Sequence, residues 1–373
     1  MAADDPILLT EHALTGGHIL GQAELNVPGT LNSLSLEMTR RLDSGLRAWA
    51  DRDEVVAVVI TGSGDKAFCA GGDIQALYHA IGANHAAGEV VDDYPFRFFE
   101  EEYRLDYYLH VYPKPVVTIG HGIVMGGGLG IFGASEFRVL TDRSRLAVPE
   151  ITIGLFPDAG ATWTLKQMAP HHAAFLGLTG SHVNASDALT TGMGTHVIAH
   201  DGRSDLLQGL MALGWQGDPG VDREMLKAWL DGQASPADVT LPAGELGVVP
   251  ESLSQGDSVQ AVAGGVFALA GASDWVDRGI ANLRGGCPTT AGIVYEQLRR
   301  APELSLADSY RLELTVATHC ANNEDFHEGV RALLIDKDGA PQWRFGDLDN
   351  LQWEHVLSHF EDPWPAHPLA DLG

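Results

Sequence analysis

Apolar positions set the reading of the chain from its first elements. Residues 7 to 27 alternate apolar and polar around Gly16-Gly17, which predicts an early β-hairpin. Between residues 33 and 50, Leu34, Met38, Leu42, Leu46 and Trp49 recur at helical spacing, with Ser33 or Ser35 as N-cap and Glu37 in the first turn. Val55 to Thr61 is a continuous apolar run closed by Gly62-Ser63-Gly64, the pattern of a strand buried on both faces. Strand, helix and strand in this order imply a crossover and a layered α/β core.

Further along, Ala67 to Ile74 (AFCAGGDI) is a glycine-bearing loop that leads into a helical pattern over Ile74 to Ala80. Residues 83 to 96 are polar and predict a mobile flap, and Phe96 to Leu109 is amphipathic with a helical period that Pro113 and Pro115 stop. The stretch from Pro115 to Ala134 is apolar but holds His121 and seven glycines, so it reads as a buried strand entering a helix and not as a membrane span. Helical patterns follow at Thr162 to Met168, His172 to Leu178 and Ser186 to Gly192. From about residue 202 to 257 the periodicity weakens and Gly, Pro, Ser and Asp become frequent; helical patterns return at Val276 to Leu283, Ala291 to Arg300 and Leu306 to His319. The expected organisation is a core over 1–200, a linker or divergent helical insert over 201–257, and a helical C-terminal region over 258–373.

Composition narrows the class. The chain has 373 residues, 45% hydrophobic and 20% charged, as in a globular protein with a well-buried core. Its formal net charge of -27 argues against nucleic acid or an anionic membrane as partner, since both need a basic footprint. Three scattered cysteines, Cys69, Cys287 and Cys320, make neither a disulfide framework nor a CxxC metal site and point to a reducing compartment. The acidic N-terminal stretch MAADDPILLTEH lacks a charged n-region and an apolar h-region, so the expected location is cytoplasmic.

Two features carry candidate chemistry. Gly71-Gly72 and Gly126 to Gly128 each follow a strand and precede a helix, about 55 residues apart. Glycine lets backbone approach a ligand closely, and the first N–H groups of a helix lack acceptors and carry partial positive charge. Two such loops facing one another would aim two N–H donors at one oxygen, an oxyanion hole; close helix packing is the alternative use of a triple glycine. Glu150 and Asp158 stand in the apolar segment AVPEITIGLFPDAGA. Desolvation there raises a carboxyl pKa and suits it to general acid or base work, while a solvated loop position for Glu150 and an N-cap ahead of the Ala159 to Leu165 run for Asp158 are the plain alternatives.

Three segments together, AFCAGGDI, KPVVTIGHGIVMGGGLGI and LAVPEITIGLFPDAGAT, resemble the crotonase (enoyl-CoA hydratase/isomerase) superfamily. The FFEEEY run before Lys114-Pro115, the FPDAG run and the closing DFHEGVRALLIDKDGAPQW resemble its thioester-hydrolase branch. The resemblance implies an α/β fold with a crotonase-like ββα superhelix core and a helical C-terminal region, acting on an acyl-CoA substrate. It implies Gly72 and Gly127 as the oxyanion donors, Ala70, Asp73 and Ile74 on the loop along CoA, and Glu102 in the acyl pocket, whose plain alternative is an exposed helix acid. It implies Glu150 as nucleophile or general base and Asp158 as its orienting partner, or as a contact to the substrate hydroxyl. No metal and no separate cofactor are expected, CoA being part of the substrate; a homo-oligomer is.

The acids discriminate within the superfamily. Hydratases of this kind carry two glutamates, and the first position is Gly130 here, so simple hydration of a C=C bond lacks one of its groups. Hydrolysis of a thioester, with a short branched 3-hydroxyacyl group, is the expected reaction; hydration or isomerisation by Glu150 alone, and a non-catalytic acyl-CoA-binding protein, are the alternatives. Val27 and Ala161 depart from the superfamily's usual Arg and Gly. His121, alone in an apolar run, is expected to be structural, and so are Asp325, His327 and Glu328, which lack further partners at ligand spacing.

Overall fold

The computed structural model describes residues 5–233 and 239–373. Residues 1–4 of the acidic N-terminal stretch, and 234–238 within the 201–257 segment, lie outside the described residues. The chain forms two compact units, each assembled from separate stretches. The first draws on residues up to Gly72, Tyr108–Leu146 and Val183–Gly244; the second on Asp73–Tyr107, Ala147–His182 and Glu245–Gly373. Among the described residues no helix is long and apolar enough to cross a membrane.

The first unit is built on β-structure. Strands β1 (Ile7–Ala13) and β2 (Ile19–Leu25) form the predicted hairpin, antiparallel with Ala13 opposite Ile19 across the Gly16-Gly17 turn. β3 (Val55–Gly62) runs parallel to β2, and the helix between them, Leu36–Ala50, takes Ser35 as N-cap through the Met38 N–H. Of the strands β4 (Ala67–Cys69), β5 (Val116–Gly120), β6 (Ile123–Met125), β7 (Phe137–Thr141), β8 (Arg145–Ala147), β9 (Val183–Asn184) and β10 (His196–Ile198), three complete the larger sheet, whose order is β1-β2-β3-β5-β7-β10. The smaller sheet has the order β4-β6-β8-β9. The continuous apolar runs of β3 and β5 are buried throughout their apolar length, as parallel strands covered on both faces require.

The segment with weak periodicity holds two helices, Arg203–Ala212 and Pro219–Gln233. Leu206, Leu210, Leu226 and Leu230 from these helices share one core with Val59, Val117, Ile119 and Val139 of the large sheet. Leu207, Met211, Met225 and Trp229 of the same helices pack against this core, and the Gly, Asp and Ser between them mask the period.

The second unit is mainly helical. Its helices include Ile74–Ala87, Ala161–Lys166, Pro170–Thr179, Asp274–Gly285, Pro288–Arg300 and Leu306–Asn322, and the helix Tyr94–His110 runs through its boundary at Tyr107. The expected flap over 83–96 is helical at both ends. Gly88 closes the first helix in the left-handed conformation, and Asn84 holds the short connection by accepting from the N–H groups of Val91 and Asp92 and donating to the Asp92 carbonyl, each at 2.8 Å.

Leu226 tests how firmly its helix belongs to the sheet core. Leu226→Ala should lower unfolding stability by about 2–5 kcal/mol, the cost of a buried cavity, against roughly 0.5 kcal/mol or less for an exposed linker position; denaturant unfolding measures the difference.

Candidate active site

In the first unit the two glycine loops lie side by side. Gly126 adopts φ 48° and ψ -130°, a conformation reserved for glycine, and turns the chain from β6 into the helix Gly127–Ala134. A Cβ on Gly128 would stand 2.4 Å from the Cys69 carbonyl oxygen, so the helix start presses directly against the end of β4. A Cβ on Gly71 would meet the Met125 carbonyl oxygen at 3.7 Å and the Gly126 Cα at 3.9 Å. Leu34 braces the first loop by donating its N–H to the Gly71 carbonyl at 2.8 Å. Gly127 opens its helix, so its N–H has no acceptor within that helix, and Gly130 is buried one turn further on.

The neighbouring CoA-loop candidates divide between the units. Ala70 is half-buried, and its N–H donates to the Leu31 carbonyl at 3.1 Å. In the second unit, Asp73 is the N-cap of Ile74–Ala87, accepting from the Ala76 N–H at 3.2 Å, and Ile74 is half-buried in its first turn.

The second unit brings Glu102, Glu150 and Asp158 into one buried cluster. Of the three acids in FFEEEY only Glu102 turns inward, to 3% exposure, while Glu100 pairs with Arg104 one turn on. Asp106 follows Glu102 by four residues on the same face and is fully buried. Glu150 opens a short 3₁₀ turn, Glu150–Thr152, and its Oε2 is buried with no hydrogen-bond partner. Burial pushes its carboxyl well above the usual range, and the nearby Asp158 charge pushes it further.

Asp158 does not cap the following helix. The N-cap of that helix is Gly160, in the left-handed conformation at φ 81°, and the Asp158 side chain instead accepts from the Tyr103 hydroxyl at 2.6 Å. The N–H groups of Gly160 and Thr162 are served instead by Glu313 of Leu306–Asn322, at 2.7 and 2.8 Å. An acid 153 residues from Gly160 and 151 from Thr162 in sequence thus takes the capping role. Burial raises Asp158 to about 6 against the pull of the Tyr103 hydrogen bond, and raises Glu313 to about 8 against its own hydrogen bonds.

Sequence reasoning missed Tyr103, Asp106, Gln297 and Glu313. Tyr103 and Asp106 were within reach, since with Glu102 they fall on one face of a single predicted helix. Glu313 and Gln297 carry no local signal, because their partners are distant loop atoms.

The residues read as structural have partners within the protein. His121 is 1% exposed, its Nε2 lies 3.0 Å from the Gly64 carbonyl, and burial holds its pKa down to about 4. Asp325 accepts from the Thr289 hydroxyl and the Arg344 N–H, Glu328 pairs with Arg331, and His327 stacks on Tyr78. Among the described residues no group of three or more His, Cys, Asp or Glu could hold a metal ion.

The chain matches known proteins over nearly its whole length. The family model for enoyl-CoA hydratase/isomerase matches residues 20–360, and the chain belongs to that family. Within it, the chain is 33% identical to 3-hydroxyisobutyryl-CoA hydrolase, mitochondrial, of Xenopus laevis over 347 residues, which cover 93% of this chain and 88% of the relative. It is 31% identical to the Homo sapiens protein of the same name over 373 residues, covering 96% and 89%. Two solved structures share the fold. A carnitinyl-CoA dehydratase from Mycobacterium thermoresistibile has a TM-score of 0.83 at 29% identity, with 98% of each chain covered. An enoyl-CoA hydratase from Rhodobacter sphaeroides 2.4.1 has a TM-score of 0.79 at 28% identity, covering 96% of this chain and 98% of the other. The expected α/β crotonase-like core with its helical C-terminal region is therefore the fold of this chain.

The raised carboxyls fix the sign of a stability change. Glu313 holds its proton in the folded state up to about pH 8, while the same group unfolded releases it near 4.5. Its contribution is therefore complete at low pH and lost as pH rises through about 8. Unfolding free energy should fall between pH 7 and 8, by up to about 1.4 kcal/mol per pH unit for each proton so held, and Glu313→Gln should reduce that slope; denaturant unfolding at each pH reads it.

Proposed function

We propose that the chain hydrolyses 3-hydroxyisobutyryl-CoA, a thioester of valine degradation, to the free hydroxy acid and coenzyme A. The observation that carries this reading is the buried Glu150–Asp158 pair, in which the charge acting on Glu150 is that of another acid. A carboxyl with a raised pKa is a stronger base once ionised, which suits attack at a carbonyl near neutral pH. The relatives named for this hydrolase, matched over more than nine-tenths of the chain, support the same substrate.

In this reading, charge developing on the thioester oxygen is received by the N–H groups of Gly72 and Gly127; loss of one such donor typically costs about 10²–10³ in rate. Ionised Glu150 acts on the carbonyl carbon, forming a mixed anhydride that water then cleaves, or takes a proton from the water that attacks. Either way the C–S bond breaks and CoA leaves as its thiolate, a good leaving group. Water and substrate balance the reaction, so we propose no cofactor and no metal. Asp158 orients Glu150 or the water, Glu102 lines the acyl pocket, and Ala70, Asp73 and Ile74 lie along CoA. For location we propose the cytoplasm, supported by three buried cysteines held as thiols; cell fractionation decides it against the mitochondrial location in the relatives' names.

Hydration of a C=C bond by Glu150 alone is the second reading, favoured by the names of the two solved neighbours. Gly130, buried where the resemblance places the first glutamate of a hydratase, weighs against it.

Thiol release from 3-hydroxyisobutyryl-CoA separates the readings. Wild type should release CoA, and Glu150→Gln and Asp158→Asn should each lower kcat by about 10²–10⁴. Loss of conjugated absorbance from crotonyl-CoA with no thiol released would replace hydrolysis by hydration. Label found in Glu150 after a single turnover in ¹⁸O-water identifies the anhydride route, with water attacking the Glu150 carbonyl carbon.

A further inference from the structure

The loop that carries Asp158 is held more tightly than its fold requires. Between Pro157 and Thr162 the backbone passes through two consecutive left-handed residues, Ala159 at φ 51° and Gly160 at φ 81°. For alanine that conformation is unfavourable and persists only where its surroundings over-determine it. Three fully buried side chains from three helices converge there. Gln297, on Pro288–Arg300, donates to the Pro157 carbonyl and to the Thr162 hydroxyl, both at 2.7 Å. Glu313, on Leu306–Asn322, accepts from the Gly160 and Thr162 N–H groups.

These two side chains hold the loop around Asp158. Tyr103, on Tyr94–His110, does something else. Its hydroxyl is spent on the Asp158 carboxylate, on Oδ2 at 2.6 Å, and a phenylalanine would fill the same buried volume. Its ring already packs near Phe99 and Tyr310, with centroids 5.9 and 6.2 Å away, so the hydroxyl is an addition to a packed aromatic group.

We propose that Tyr103 is a positioning residue that fixes the orientation and charge of the Asp158 carboxylate, on a loop fixed in turn by Gln297 and Glu313. The inference rests on the reading above, in which Asp158 takes part in thioester hydrolysis.

The surroundings give the contact its direction. Asp158 is faced by Glu102, Tyr103 and Asp106 from Tyr94–His110, by Glu150 from the 3₁₀ turn, and by Glu313 and Cys320 from Leu306–Asn322. Among these described groups the Asp158 charge holds protons on the neighbouring acids, and Tyr103 donates a hydrogen bond to it. A hydrogen bond to the charged form lowers a carboxyl pKa, so its removal raises that of Asp158 above its value of about 6. The proton then sits on Asp158 at pH values where wild type keeps it ionised, and the charge that strengthens Glu150 as a base is lost.

The test uses the full chain and follows thiol release from 3-hydroxyisobutyryl-CoA against pH. Tyr103→Phe should lower kcat by about tenfold with KM little changed, and should move the lower acid-side break of kcat/KM upward by about one pH unit. Replacing Tyr103 by 3-fluorotyrosine, nearly the same shape but a stronger donor, should move that break downward; it settles the inference even where Tyr103→Phe fails to fold. In an Asp158→Asn background Tyr103→Phe should cost nothing further in kcat. The inference is overturned if Asp158→Asn is impaired while both Tyr103 variants keep the wild-type break, or if the two losses multiply in the double variant. Full activity of Asp158→Asn would instead overturn the role given to Asp158, a result the Tyr103 variants cannot imitate.

Discussion

Carboxyl groups held out of water, with no counter-cation acting on them among the described residues, constrain the second unit more than any other feature. Ionised carboxylates are costly in an apolar interior, and the protein neutralises, pairs or hydrogen-bonds them. Here Glu102, Asp106, Glu150, Asp158 and Glu313 are all buried, and the charges acting on Glu102 come from Asp158 and Glu313, acids themselves. The relief comes from neutral donors: two backbone N–H groups for Glu313 and the Tyr103 phenol for Asp158. Raised proton affinity is the consequence, and it is also what a general base near neutral pH needs.

That constraint explains why the strained turn at Ala159-Gly160 survives. Releasing the turn would take the Gly160 and Thr162 N–H groups from Glu313 and leave a deeply buried acid without donors. The strain of the turn is offset by the two hydrogen bonds that it gives the buried Glu313 carboxyl. The geometry of the Asp158 loop and the burial of the acids therefore hold each other in place.

In the first unit the governing force is steric. The glycine loops approach so closely that a methyl group at Gly128 would overlap the Cys69 carbonyl, and the Gly126 backbone is closed to other residues. Both loops follow the parallel pair β4 and β6, while β3 and β5, buried along their apolar length, form the frame of the larger sheet. Leucines on Arg203–Ala212 and Pro219–Gln233 thicken the core behind that frame, which ties a compositionally divergent segment to the sheet.

Hydrophobic period, glycine placement and the isolated acids made the hairpin, the β2-helix-β3 crossover, the glycine loops and the Glu150–Asp158 candidates legible in the sequence, because each depends on residues within one or two turns of one another. Local pattern misjudged 83–96, where the Asn84 side chain rather than hydropathy sets the structure, and it offered a cap for Asp158. Tertiary structure alone decided that Glu102 faces inward while Glu100 and Glu101 do not, that Tyr103 meets Asp158, and that Glu313 does the capping from 151 and 153 residues away. The physical reason is that burial and hydrogen-bond partnership are properties of surroundings assembled from distant segments, whereas periodicity and glycine conformation are properties of the local chain.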